Sequence, residues 1–332
     1  MHFFRKTQID FIGKRRTWYY VSTIVTMAGI IWALFRGVEY GIDFAGGTEV
    51  QLQFQKNVSI EDVRASLDKA AIRGAEVKYY GEDESGVLIR VREGAQGAEA
   101  GAEATKKVMA AEAQGFPNNK SILLQEQHIG PKIGAELRQK AFLAVFFTCV
   151  VILIYLAFRF RFVYGLGAVI AIVHDVLVAF AFAVICNGIW PWLNLEMNST
   201  LLAAFLTIVG FSVNDTVIIF DRIREDQKKY KGQTLKEIMN RAINETLPRT
   251  IITSGTVFLT LLVLFIWGGE VLRGFAFTML IGVITGTYSS IFVASAIAFD
   301  WLERDKAKPQ HIPISARQRA REEASRRVPA AA

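Results

Sequence analysis

Six long apolar blocks limit what this chain can fold into more tightly than any single motif does. A bilayer core about 30 Å thick takes about 20 mostly apolar residues per helix. Residues 17–35, 141–158, 163–184, 199–220, 250–267 and 275–299 each meet that requirement. In lipid every backbone N–H and C=O must be paired within the protein, so such blocks are read as helices. The first block follows Lys14, Arg15 and Arg16, as a signal peptide would. No small-x-small cleavage site follows it, so the expectation is an uncleaved anchor.

Lysine and arginine placement then predicts orientation. The N-terminus carries Arg5, Lys6 and 14–16, and the short connection after the second block carries Arg159 and Arg161. The fourth-to-fifth connection carries Arg222, Arg224, Lys228, Lys229, Lys231, Lys236 and Arg241, and the tail from Arg304 onward is again basic. The stretch 186–198 has no Lys or Arg. All basic connections therefore fall on one side. The expected division is a cytoplasmic N-terminus at 1–16, a membrane helix at 17–36 and an extracytoplasmic domain at 37–140. A five-helix membrane region at 141–303 and a basic cytoplasmic tail at 304–332 follow. The net charge of +7 follows this topology and does not point to nucleic acid.

The chain offers little to an enzyme. Its two cysteines, Cys149 and Cys186, lie inside apolar blocks and give neither a disulfide framework nor a metal spacing. No phosphate loop, zinc motif, nucleophile elbow or nucleophile–base set is visible, so the expectation is no catalytic residue, no metal and no cofactor.

Residues 40–140 read as a small soluble domain. "TEVQLQF" alternates like a strand, and Ser59 precedes the helical "IEDVRASLDKAAI" as an N-cap. "AEVKYY" and "GVLIRVR" are strands around a "GEDESG" turn, "AEATKKVMAAEA" is helical, and "SILLQEQHI" is a last strand. The order β-α-β-β-α-β predicts an α+β ferredoxin-like fold. His128 is expected to be a surface or packing residue. "GIDFAGGTE" links the first block to this domain, with Gly46-Gly47 as its turn and Asp43 near the interface.

The strongest functional signal is "GFSVNDTVIIFDRIRED", where Asn214 and Asp215 stand in an apolar helix. Asp215 lies seven residues before Arg222, about 10 Å inside the cytoplasmic edge. A charge there costs several kcal/mol and, where present, commonly marks a proton or ion path. Two readings stand for Asp215: a protonation site, or an interhelical hydrogen bond holding the bundle together. His174 and Asp175 fall near mid-membrane in the third block and share the same two readings. Arg249, after Pro248, either belongs to the connecting loop or reaches inward toward Asp215. Asn214 supports packing, and Asp221 is expected in an interfacial salt bridge beside Arg222 and Arg224. Gly282 and Gly286, and Ala203, Thr207 and Gly210, permit close helix approach.

"GIDFAGGT", "GFSVNDTVIIFDRIRE", "RTIITSGT" and "GTYSSIF", in this order on six spans with a large first external loop, closely resemble the SecF family. Members are the smaller membrane subunits of SecD–SecF protein-export complexes, within the resistance-nodulation-division superfamily. The resemblance covers nearly the whole chain; Phe211 stands where many relatives are expected to have Tyr. It implies one half of a twelve-span transporter, with SecD supplying the other half. It implies association with the SecYEG channel, often with YajC, and action on emerging preproteins at the outer face of a bacterial inner membrane. It implies a proton gradient as energy source, with Asp215 and Arg249 on the proton path and a less defined role for Asp43. The alternatives are a lipid or small-solute exporter of the same superfamily, or a non-transporting assembly subunit of the translocon.

Overall fold

The computed structural model describes residues 7–72, 74–80, 84–91 and 98–307. The basic tail from residue 308, and the first half of the predicted "GEDESG" turn, lie outside them. Six helical spans are long and apolar enough to cross a membrane, so this is a multi-pass membrane protein. Five are single helices: α1 (Arg15–Arg36), α5 (Pro131–Arg159), α6 (Phe162–Ile189), α7 (Ser199–Lys229) and α8 (Leu235–Trp267). The sixth is continuous through α9 (Gly269–Ser289), a π-helical turn (Ser290–Ala294) and α10 (Ser295–Ala307).

The helices outrun the apolar blocks. α7 continues to Lys229 and α8 starts at Leu235, so most of the expected fourth-to-fifth loop is helical. Polar side chains sustain these extensions. Arg222 bonds Glu225 at 2.8 Å and also pairs with Glu245, while Thr234 and Glu237 form a capping box at the start of α8. Pro248 consequently sits inside α8 rather than at the entrance to a span. The N-terminal segment is tied to the same extension. Asp10 pairs with Lys236 at 2.8 Å, and Ile9 N–H and Ile12 N–H donate to Asn244 and Asn240, each at 3.0 Å. The hydrogen bond from Lys236, with those from Gly13 and Asn240, holds the Asp10 carboxyl down at about 2.

α6 is the hub of the bundle, contacting α1, α5, α7 and α9. Small residues set these approaches: a Cβ on Gly29 of α1 would overlap Ala181 of α6, and one on Gly282 of α9 would overlap Ile208 of α7. Two apolar clusters fill the bundle, one around Phe160, Phe220 and Phe299 and the other around Phe205, Ile208 and Met279. α1 and α5 leave large side chains uncovered, among them Leu34, Phe35, Phe142 and Phe158, as surfaces in contact with lipid acyl chains do.

The domain between α1 and α5 has the predicted order. A short helix α2 (Ile42–Ala45) precedes β1 (Gly47–Phe54), α3 (Ile60–Lys69), β2 (Glu76–Tyr79), β3 (Gly86–Val91), α4 (Ala98–Gly115) and β4 (Ser121–Ile129). The sheet is antiparallel in the order β2-β3-β1-β4, as expected for a ferredoxin-like fold, with a register shift between Gln51 and Leu52 against β4. Val50, Leu52, Val63, Leu67, Val87, Ile89 and Val108 form its core. Ser59 caps α3 by accepting from Glu61 N–H at 3.2 Å. His128 is a packing residue, its Nδ1 2.8 Å from the Thr48 hydroxyl.

The linker motif contains α2 rather than a bare turn. Gly46 follows it at φ +76°, where a Cβ would press on Pro131 at the start of α5. Both a left-handed conformation and a close backbone approach thus require glycine there. Beyond the linker, Tyr40 bridges Met197, and Gly41 N–H and Met197 N–H exchange bonds with Met197 and Glu39 carbonyls at 3.0 and 2.9 Å. These bonds fasten the exit of α1 to the connection between α6 and α7.

Candidate functional site

Asp215 is 2% exposed and Asp175 fully buried, in a bundle otherwise lined by apolar and small side chains. Their partners differ. The described contact of Asp215 is Ser254 of α8, whose hydroxyl lies 3.4 Å from Oδ2. Ser254 in turn accepts from Thr287 of α9 at 2.7 Å. Asp175 is densely held: its Oδ2 accepts from Ser212 of α7 at 2.5 Å and Ser289 of α9 at 2.7 Å, and its Oδ1 lies 2.9 Å from His174 Nδ1. Ser212 stands one turn before Asp215 on α7, and Ser289 two residues after Thr287 on α9. Hydroxyls from α7 and α9 thus hold Asp175, and hydroxyls from α8 and α9 stand at Asp215. Beside Asp175, His174 Nε2 and the Tyr288 hydroxyl are buried with no hydrogen-bond partner among the described residues, their rings 5.8 Å apart.

The other expected residues fall elsewhere. Arg249 is exposed on α8; its charge acts on the Asp215 carboxyl, but no ion pair joins the two among the described residues. Asn214 is exposed too, in line with Ala203, Thr207 and Gly210 along an uncovered face of α7. Asp221 does form an interfacial salt bridge, but with Arg159 at the end of α5, at 2.9 Å, instead of Arg222 or Arg224. Arg222, the next residue, points to another face and pairs with Glu225, Asp226 and Glu245, while Arg224, three residues on, donates to the Arg159 carbonyl at 3.5 Å.

Asp43 has a defined structural task. Its Oδ2 accepts from the backbone N–H of Ser199 at 2.8 Å and from the Ser199 hydroxyl, at the first residue of α7. Its Oδ1 accepts from Gln127 of β4 at 3.3 Å. One carboxylate thus ties the linker to the external sheet and to the N-terminus of the helix carrying Asp215. Negative charge there also complements the helix dipole.

Sequence reasoning missed an ionic joint between the external domain and the bundle. Arg90 of β3, 4% exposed, donates to Glu196 of the α6–α7 connection at 2.6 Å and to Glu49 of β1 at 2.9 Å. Lys78 of β2 pairs with Glu196, Glu39 and Glu76 at 2.7, 2.8 and 3.0 Å. Burial opposes both positive charges; Glu196, with Glu49 at Arg90 and Glu39 and Glu76 at Lys78, outweighs it and holds both above their usual range. Glu39, Glu76 and Glu196 also have metal-like spacing, but the Lys78 ammonium already stands among their oxygens. The only prior signal was an alternation of charged residues in β2, one arginine in the apolar β3 and one acidic residue in a loop without basic residues.

Comparison with known proteins gives a consistent result. The family model "Protein export membrane protein SecD/SecF, C-terminal" matches residues 109–304, and "SecD/SecF GG Motif" matches residues 31–58, which contain Asp43, Gly46 and Gly47. A protein translocase subunit SecF of Calditerrivibrio nitroreducens is 39% identical over 88% of this chain and 94% of its own. One from Rhodothermus marinus is 38% identical over 93% and 98%. The crystal structure of SecDF, a translocon-associated membrane protein from Thermus thermophilus, superposes with a TM-score of 0.77 at 33% identity. The match covers 90% of this chain and 39% of that one.

Proposed function

This chain belongs to the SecD/SecF family of protein-export membrane proteins, as a member of its SecF branch, and from that premise we propose that it is the SecF half of a SecD–SecF pair that uses the proton-motive force to promote late steps of polypeptide translocation through SecYEG. The observation that carries the proposal is Asp215, 2% exposed in mid-bundle with one long hydroxyl contact. A carboxylate serving only as glue gains most from several short bonds, as Asp175 has. A carboxylate that must exchange a proton gains from being lightly held. One charge moved through 100 mV supplies about 2.3 kcal/mol, enough to bias a helix bundle between two arrangements.

The uncovered face of α7, with Ala203, Thr207, Gly210 and Asn214, supports a missing second half. Small and polar residues exposed at membrane depth favour a packed helix over lipid. In this reading SecD covers that face, and the exposed Arg249 guanidinium acts as the movable counter-charge of Asp215 on the proton path. Movement of α7 reaches the external domain through Asp43 and the ionic joint, and that domain acts on the emerging preprotein. The placement that follows is a bacterial inner membrane with both termini cytoplasmic, the external domain outside, and YajC among the neighbours. The driving energy comes from the gradient, with no bound cofactor and no enzymatic step.

The test is translocation into inverted vesicles at saturating ATP, with the gradient on or off. Native and Asp215→Asn proteins are compared at matched SecD and SecF levels. The expected result is loss of gradient stimulation in the variant alone. Unchanged stimulation would reject the proton role and favour a non-transporting assembly subunit.

A further inference from the structure

Asp175 has three donors, and two of them come from the helices that also frame Asp215. Ser212 is on α7, one turn from Asp215 itself. Ser289 is on α9, beside the Thr287 that bonds Ser254, the hydroxyl facing Asp215. α6, which carries Asp175, is the hub against which both helices pack. The clasp also abuts a weak point in the sixth span. The π-helical turn begins at Ser290, directly after Ser289, and the Ser295 hydroxyl donates to the Ser290 carbonyl at 2.8 Å across it. π-Helical turns are rare and concentrate at functional sites, because the local backbone ladder is already loosened there. Close packing leaves α7 and α9 little freedom to slide while the clasp is closed: Gly286 faces Ser212, where a Cβ would approach to 3.3 Å.

We infer that Asp175 is a positioning residue for Asp215. It clamps α7 and α9 to α6 through Ser212 and Ser289, and so fixes where Asp215 and the hydroxyls facing it stand. The inference rests on the proposed proton role of Asp215. Among the described residues, the titratable groups against Asp175 are His174 on its own helix and Tyr288 on α9, and the charged group acting on Asp215 is Arg249 of α8. On α1, Arg15 and Tyr19 are engaged instead with Asp300 of α10. Opening the clasp from either side, at the carboxyl or at the two hydroxyls, releases Asp215 from its fixed surroundings.

The experiment measures gradient-stimulated translocation by the full SecD–SecF complex in vesicles between about pH 5.5 and 8.5. It compares native protein, Asp175→Asn, the double variant Ser212→Ala/Ser289→Ala, and Thr285→Ala as a control in the same span, whose hydroxyl bonds the carbonyls of its own helix. All values are normalised to assembled complex. Asp175→Asn, which leaves one acceptor oxygen where the carboxylate has two, is expected to move the midpoint of stimulation by about half a unit or more. The double alanine variant is expected to lower its amplitude at least about threefold and to move the midpoint in the same sense. Thr285→Ala is expected to stay native in both. If Asp175→Asn does not assemble, the double variant carries the test, since it keeps both carboxylates. Native midpoint and amplitude per assembled complex in either variant would reduce Asp175 to structural glue and overturn the inference. An Asp215→Asn arm separates this from failure of the underlying reading: full stimulation there rejects the proton role itself, whereas loss there with a native Asp175→Asn profile rejects only the positioning role.

Discussion

Replacing Glu112 by glutamine should stabilise the external domain in alkaline buffer and leave it unchanged in acid. Glu112 lies on α4 and is 1% exposed. Its Oε1 accepts from the Ser66 hydroxyl of α3 at 3.1 Å, while Oε2 has no partner among the described residues. Burial, only partly offset by the Ser66 bond, pushes its carboxyl up from 4.5 to about 7. The unfolded chain gives up this proton above about 4.5, the folded domain only above about 7. Stability is therefore full below 4.5, falls as pH rises through the interval, and stays reduced beyond it. At 1.36 kcal/mol per pH unit the loss reaches about 3 kcal/mol. Glutamine keeps the shape and the acceptor for Ser66 but cannot ionise, so this loss disappears. Hydrogen exchange of the α3 and α4 amides, in the full chain in detergent, reads the difference. Protection at about pH 8.5 should rise by up to about a hundredfold in Glu112→Gln, with little change at about pH 4.5. Equal protection at alkaline pH, or the same gain at both pH values, would refute the burial argument.

Three further outcomes are expected. Gly282→Ala should overpack the α7–α9 contact by about 1–3 kcal/mol and lower the melting temperature in detergent, and a second change, Ile208→Val, should recover part of it. Asp43→Ala should accelerate exchange in the first turn of α7 and cost about 1–2 kcal/mol, because Ser199 N–H and Gln127 both lose their acceptor; native exchange at Ser199 would contradict this. Arg90→Met should leave Glu196 and Glu49 buried with less positive charge and cost about 3–5 kcal/mol, seen as faster proteolysis at the domain–membrane junction. Adding Glu196→Gln to Arg90→Met should recover part of that loss, since one orphaned charge is removed.

The external domain was readable strand by strand because its apolar residues alternate in β1, β3 is a short run rich in Val, Leu and Ile beside a turn, and Ser59 sits where an N-cap belongs. The candidate site was readable only in part. Asp215 and Asp175 stand out because a carboxylate in an apolar helix is costly wherever that helix goes. Ser212, Ser254, Thr287 and Ser289 do not stand out, because hydroxyls in a membrane helix are common and usually bond to their own backbone, as Thr207 does to the Ala203 carbonyl at 2.7 Å. The reach of α7 and α8 beyond the apolar blocks was missed because hydropathy marks where lipid ends, whereas helix ends are set by capping and ion pairs such as Thr234 with Glu237.

By itself the sequence determined the number of spans and the βαββαβ order of the domain between the first two. It also determined that Asp175 and Asp215 would be carboxylates within the bundle. These are consequences of local composition and periodicity, since each block must satisfy its own backbone and hide or expose its own faces. Only the tertiary structure decided the partners. Asp43 meets Ser199, Arg90 meets Glu196 and Asp175 meets Ser212 and Ser289 across separations from 37 to 156 residues. No local pattern specifies such pairs; they exist because α6 draws α7 and α9 against itself and because Gly46 turns the chain so that the sheet rests on the α6–α7 connection.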